Sequence, residues 1–154
     1  MSILAGAKAT AVDLTLPDVV TAFGNGTNTV TATTFTDLPT TSCVAAITNP
    51  HPTADMLTYV TYSGWATAST NALRFCPRVS GSTTVTAGIG GGLAVGWGEV
   101  PRVIVEYQQY MASATIELPP GTATFTMQAH RESASGTQQL NYPTIRLVPV
   151  RYLF

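Results

Sequence analysis

The sequence predicts an all-β chain, an antiparallel β-sandwich of jelly-roll type with an extended N-terminal arm, on three grounds. Threonine and valine recur throughout its 154 residues, and side chains branched at Cβ suit a pleated strand better than a helix. Apolar runs of strand length are punctuated by Gly, Pro, Asn and Asp clusters about every ten residues, as in short antiparallel strands joined by turns. No long segment places apolar residues at helical spacing, so the crossover helices that a parallel sheet requires are missing. A fixed-period repeat is absent too, which excludes a solenoid or propeller.

Residues 1–26 are assigned to an arm or anchor and 27–154 to a single sandwich domain. The arm is rich in Ala and Leu without alternation, suits a short helix over Ala11 to Val20, and ends at Phe23-Gly24-Asn25-Gly26. Asn28 to Thr36 alternates apolar and hydroxyl side chains and stops at Asp37-Leu38-Pro39, which reads as a strand. Cys43 to Ile47 is a short apolar run closed by Asn49-Pro50-His51-Pro52, where two prolines remove ladder donors and force a loop. Met56 to Trp65 and Leu73 to Val79 are the next two strands, and Ser80-Gly81-Ser82 turns the chain into Thr83 to Ala87.

Val103, Val105 and Tyr107 share one parity and Ala114, Ile116 and Leu118 the other, so a bulge or bend is expected near Gln108-Gln109-Tyr110. Pro119-Pro120-Gly121 opens the cleanest alternation in the chain. Ala123, Phe125, Met127 and Ala129 share one face and Thr122, Thr124, Thr126 and Gln128 the other. A polar loop from Arg131 to Asn141 leads to a last strand, Thr144 to Phe154, in which Pro149 marks an edge position or a bulge.

Charged residues are only 10% of the chain and the net charge is -1, against roughly 25% charged residues in an ordinary domain. That leaves roughly one charge per 500 Å² of surface. A surface so poor in charge promotes association, so an assembly is expected. Seven Lys and Arg residues spread from Lys8 to Arg151 form no basic patch, which argues against nucleic acid or an anionic membrane as partner. Met1 to Ala11 lacks an export signal and no apolar stretch reaches membrane-helix length, so a cytoplasmic origin is expected. Cys43 and Cys76 are therefore read as buried thiols.

Chemistry is sparse. His51 and His130 are the only histidines, no serine sits in a Gly-x-Ser-x-Gly elbow, and the eight acidic residues are too dispersed for a calcium loop. Gly88-Ile89-Gly90-Gly91-Gly92 lacks the Lys-Ser/Thr of a phosphate loop and is read as a β-connection. Asn25-Gly26-Thr27 matches a glycosylation acceptor but reads as a turn. No catalytic, cofactor or metal residue is assigned. The aromatics fit core and subunit contacts, because interfaces are enriched in aromatic and depleted in charged residues. The candidates are Trp97, Tyr107, Tyr110, Phe125, Tyr152 and Phe154, with Ile3, Leu4, Val12, Leu14 and Leu16 as anchoring residues of the arm.

The C-terminal stretch ELPPGTATFTMQAHRESASGTQQLNYPTIRLVPVRYL resembles strand, loop, strand pairs of tailed-bacteriophage virion proteins, and TFTDLPTTSC and VTYSGW share that character. The chain also resembles the trimeric jelly roll of the tumour necrosis factor and complement C1q class. Gly121 and Phe125 match a Gly-x-Tyr-x-Phe strand opening, with Ala123 in place of the tyrosine and the match falling late in the chain. The N-terminal AGAKATAVDL is similar to leader segments that anchor phage head and tail proteins. These resemblances imply a homotrimeric capsid decoration (cement) protein, not an enzyme, without cofactor. It would be located in the virion after assembly in the host cytoplasm, with the major capsid protein as its partner. The alternative they imply is a tail or fibre-tip protein that binds host glycan through Trp65 or Trp97.

Overall fold

The period-two alternation becomes ten strands in the computed structural model, which describes residues 15–39, 42–68, 72–85, 98–100 and 104–154. They are β1 (Val20–Phe23), β2 (Thr27–Thr29), β3 (Thr36–Asp37), β4 (Val44–Asn49), β5 (Asp55–Ala68), β6 (Leu73–Gly81), β7 (Gly98–Val100), β8 (Ile104–Leu118), β9 (Gly121–Arg131) and β10 (Gln138–Leu153). The first sheet runs β1-β10-β5-β8, with β2 also on β10, and the second runs β3-β9-β6-β7, with β4 also on β9. Every pairing is antiparallel.

The pairings nest. β1 and β2 meet β10, β3 and β4 meet β9, β5 meets β8, and β6 meets β7. A chain doubled back as one long antiparallel ribbon gives these pairs, and rolling that ribbon up adds β5 to β10 and β6 to β9. This is a jelly roll.

Alternation decides what goes inside. Met56, Val60, Tyr62, Leu118, Ile145 and Leu147 project from the first sheet into the core, and Ala45, Ile47, Phe75, Val79, Phe125 and Met127 meet them from the second. Tyr62 and Phe75 pack edge to face across the sandwich, ring centroids 6.3 Å apart. Each large side chain so buried contributes about 1.5–3 kcal/mol of transfer free energy.

Several sequence expectations are refined by the structure. The strand expected over Asn28 to Thr36 is two short strands, β2 and β3, because the chain leaves β10 of one sheet for β9 of the other and one ladder cannot span that crossing. Hydrogen bonds from Val30 N to Gln138 O (2.9 Å) and Arg131 N to Ala32 O (2.9 Å) hold the crossing segment instead. Residues 15–19 carry no helix, the rest of the helix expected from Ala11 lies outside the described residues, and β1 pairs with β10 of the first sheet. Pro149 meets its expectation on both counts: β1 pairs with β10 only up to Leu147, so Pro149 has a ladder partner on the β5 side alone, and a bulge lies between Pro149 and Arg151. The loop after β9 is shorter than expected, since Gln138 to Asn141 already pair with β5 and β2. The irregularity in β8 faces Ala66 to Ala68, between Ile104 and Gln108, just before its expected place.

Candidate functional site

The outer surface of the first sheet can be read row by row from the register. Phe23, Thr144, Ser63 and Met111 stand side by side across β1, β10, β5 and β8. Thr21, Arg146, Thr61 and Ser113 form the next row, then Val148, Tyr59 and Thr115, then Arg151, Leu57 and Glu117. In the other direction stand Thr27, Asn141, Trp65 and Gln109. The surface is thus mostly hydroxyl, amide and apolar, with few charges.

Among the described residues the exposed large apolar side chains are Val19, Phe23, Val44, Tyr59, Trp65, Met111, Tyr142, Val150 and Phe154. Phe23 is 74% exposed, Met111 73% and Phe154 91%. Only Val44 belongs to the second sheet, while the others lie on β1, β5, β8 and β10 or directly flank them. The second sheet instead shows an ion pair. Arg78 donates from Nε and Nη2 to the two Asp37 carboxylate oxygens at 3.2 Å each, and Gln128 Nε2 donates to Asp37 Oδ1 at 2.8 Å. The hydrogen bonds from Arg78 lower the pKa of Asp37 below the ordinary carboxylate value.

The residues expected at subunit contacts separate. Phe125 is fully buried in the subunit's own core and so cannot meet a neighbour. Tyr110 is half-buried and packs on that core. Tyr152 is buried, its hydroxyl donating to Thr15 O at 2.9 Å, and its ring lies 5.0 Å from that of His51. Phe154 alone of these projects outward, stacked edge-on against His51 at 5.5 Å. Trp97 and the Tyr107 side chain lie outside the described residues, as do Ile3, Leu4, Val12 and Leu14. Leu16 packs against the core, and with Thr15 it roots the arm beside the end of β10.

The histidines do not form a pair. His51 sits beside the start of β9 and His130 near its end, roughly 30 Å away at strand rise. His51 Nδ1 accepts from Thr53 N (3.2 Å) and Ala54 N (2.8 Å), and thereby shapes the β4–β5 loop. His130 Nδ1 bonds Arg131 O at 3.1 Å, and burial lowers its pKa. Cys43 and Cys76 are both buried, and burial raises the pKa of Cys43 to about 11, far from a reactive thiolate. Among the described residues no three His, Cys, Asp or Glu side chains come together to hold a metal.

Sequence reasoning missed Phe23, Tyr59, Met111, Tyr142 and Val150. Met111 carried a signal, since it shares its parity with Gln109, Ser113, Thr115 and Glu117 and so breaks a polar face. Phe23 carried none, because β1 is too short to define a face without its partner.

No family model matches the chain, and no curated protein matches it. Among solved structures it is similar to the Eiger TNF of S. frugiperda, at 12% identity and a TM-score of 0.47, covering 88% of this chain and 95% of that one. The jelly roll itself is read from the nested strand order and register.

Proposed function

We propose that the protein is a structural protein of a phage virion, a capsid decoration subunit that acts as a homotrimer and stabilises the assembled head. The observation that carries this is the outer surface of the first sheet, which exposes Phe23, Tyr59 and Met111 among hydroxyl groups. Large exposed apolar residues concentrated on one face mark an interaction surface, and copies of the same chain suit it because both sides are nearly uncharged. The phage assignment draws on the resemblance of the C-terminal strand pair and of the leader-like N-terminus.

The work of such a subunit is thermodynamic. A protein that binds the assembled shell and not free capsid subunits stabilises the shell by mass action, and contacts to adjacent capsomers made together add avidity. Thr15, the first described residue, is held by Tyr152 near the exposed Phe154, and we take this pole as the shell-facing end.

Light scattering after size exclusion tests the assembly. Three times the chain mass is expected for the wild type and a monomer for a Phe23→Arg, Met111→Arg double variant. A dilutable wild-type monomer overturns the trimer. Deleting residues 1–14 is expected to abolish binding to undecorated heads while the body stays folded, and undiminished binding rules out the arm as anchor. Copy number per particle separates head from tail: hundreds of copies are expected.

A further inference from the structure

One corner of the first sheet has a chemistry of its own. Thr27, Asn141, Trp65 and Gln109 lie in one register row across β2, β10, β5 and β8, and Gln139 lies two residues back along β10. Trp65 is 44% exposed, and Tyr142, which follows Asn141, is 57% exposed. These residues are amides, a hydroxyl and two aromatics, with no carboxylate, ammonium or guanidinium among them.

Three features mark the corner as more than incidental surface. Tyr142 has φ of 48°, making it the one non-glycine among the described residues with positive φ. A bulky residue rarely adopts this left-handed conformation, and strain of this kind concentrates at functional sites. Glycine would relieve it, so keeping tyrosine there retains a ring at the cost of strain. The strand bulges at the same point, with a register shift between Asn141 and Thr144, and bulges re-aim side chains. Asn141 is 6% exposed, and its Oδ1 is buried with no hydrogen-bond partner. A buried acceptor without a donor is costly and calls for an explanation.

We propose that this corner is a binding site for a neutral sugar, a hexopyranose unit of a surface glycan. Its apolar ring face would stack on the Trp65 indole, with the Tyr142 ring as a second platform. A pyranose has an apolar C–H face and a rim of hydroxyls that both donate and accept. Exposed aromatics match the first, and side-chain amides, each with a donor and an acceptor end, match the second. A ligand hydroxyl donating to Asn141 Oδ1 would supply its missing partner. Sulfated, phosphorylated and sialylated ligands lack a cation here. The site does not depend on the virion assignment.

The test uses the full chain in a Trp97→Phe background, so that Trp65 is the only indole. It is screened on an array of immobilised neutral oligosaccharides of glucose, galactose, mannose and N-acetylglucosamine, with sialylated and sulfated glycans alongside. The best ligand is then titrated free in solution against Trp65 fluorescence. A saturable emission change with a neutral sugar is expected, and Trp65→Ala and Tyr142→Gly are each expected to weaken array binding at least tenfold. Tyr142→Gly is also expected to match or exceed the starting protein in Tm, because glycine relaxes the left-handed backbone, so its loss of binding cannot be a folding failure. The proposal is overturned if no neutral sugar binds, if charged glycans bind as well, or if Trp65→Ala retains binding. A change of mass for Trp65→Ala in light scattering would place the indole between copies and overturn it too. Unchanged trimers in both variants leave the proposed assembly standing whatever the sugar result.

Discussion

His130 shows how a buried titratable side chain makes stability depend on pH. It is 2% exposed, packs against Phe35 with ring centroids 4.4 Å apart, and its Nε2 is buried without a partner. Burial penalises the imidazolium, so the folded chain binds a proton less readily than the unfolded chain, whose histidine titrates near 6.5. Stability is therefore level above about pH 6.5 and falls as pH drops toward the folded-state value, by at most about 1.4 kcal/mol per pH unit from this group. Urea midpoints at pH 7.5 and 5 are expected to differ for the wild type, and to differ less for His130→Gln. Asp37 acts in the same direction at lower pH, since the stability from its lowered pKa is lost as pH falls through that value. Its exposed pair with Arg78 makes this a small effect. Gly81 is a purely steric case: it has φ of 103°, and an added Cβ would strike Thr122 O. Gly81→Ala is expected to lose at least about 1 kcal/mol in chemical denaturation.

At the scale of elements, one side chain ties two strands and a loop together. Asn49, at the end of β4, donates from Nδ2 to Ala54 O (2.9 Å) and Leu118 O (2.8 Å), while its Oδ1 accepts from His51 N (3.0 Å). It joins both sheets at one end of the sandwich and fixes the loop that carries His51. Asn49→Ala leaves buried backbone groups unpaired and is expected to cost about 2–5 kcal/mol, read from denaturant midpoints at constant m-value. Phe125→Ala in β9 is expected to cost about 3–5 kcal/mol for the cavity it leaves, without changing the oligomer, because Phe125 lies within one subunit. The two faces of β9 were legible in the sequence, since the apolar and polar alternation from Thr122 to Ala129 admits only one division into faces. The break between β2 and β3 was not legible, because nothing local in NTVTATTFT records that its two ends pair with different sheets.

For the whole molecule, the sparse charge and the apolar outer surface of the first sheet bear on assembly together. A contact built from Phe23, Tyr59, Met111 and hydroxyl groups contains few ion pairs for salt to screen. Raising sodium chloride from about 50 mM to about 500 mM is therefore expected to leave the light-scattering mass unchanged. Dissociation by salt would show a charged interface instead. The candidate surface was only partly legible. Low charge announced that some surface would be covered, but Phe125 and Tyr152 were placed at contacts when they belong to the core.

The sequence by itself determined that the chain is all β, where most strands run, and which residues of a long alternating strand share a face, because these follow from side-chain chemistry at a spacing of two. Only the tertiary structure decided which face is covered, since that depends on which distant strand supplies the second sheet. Phe23 and Phe125 are the same side chain in similar strands. One lies outward and the other inward because β1 pairs with β10 in one register and β9 with β6 in another, and partners so far along the chain leave no trace in either neighbourhood.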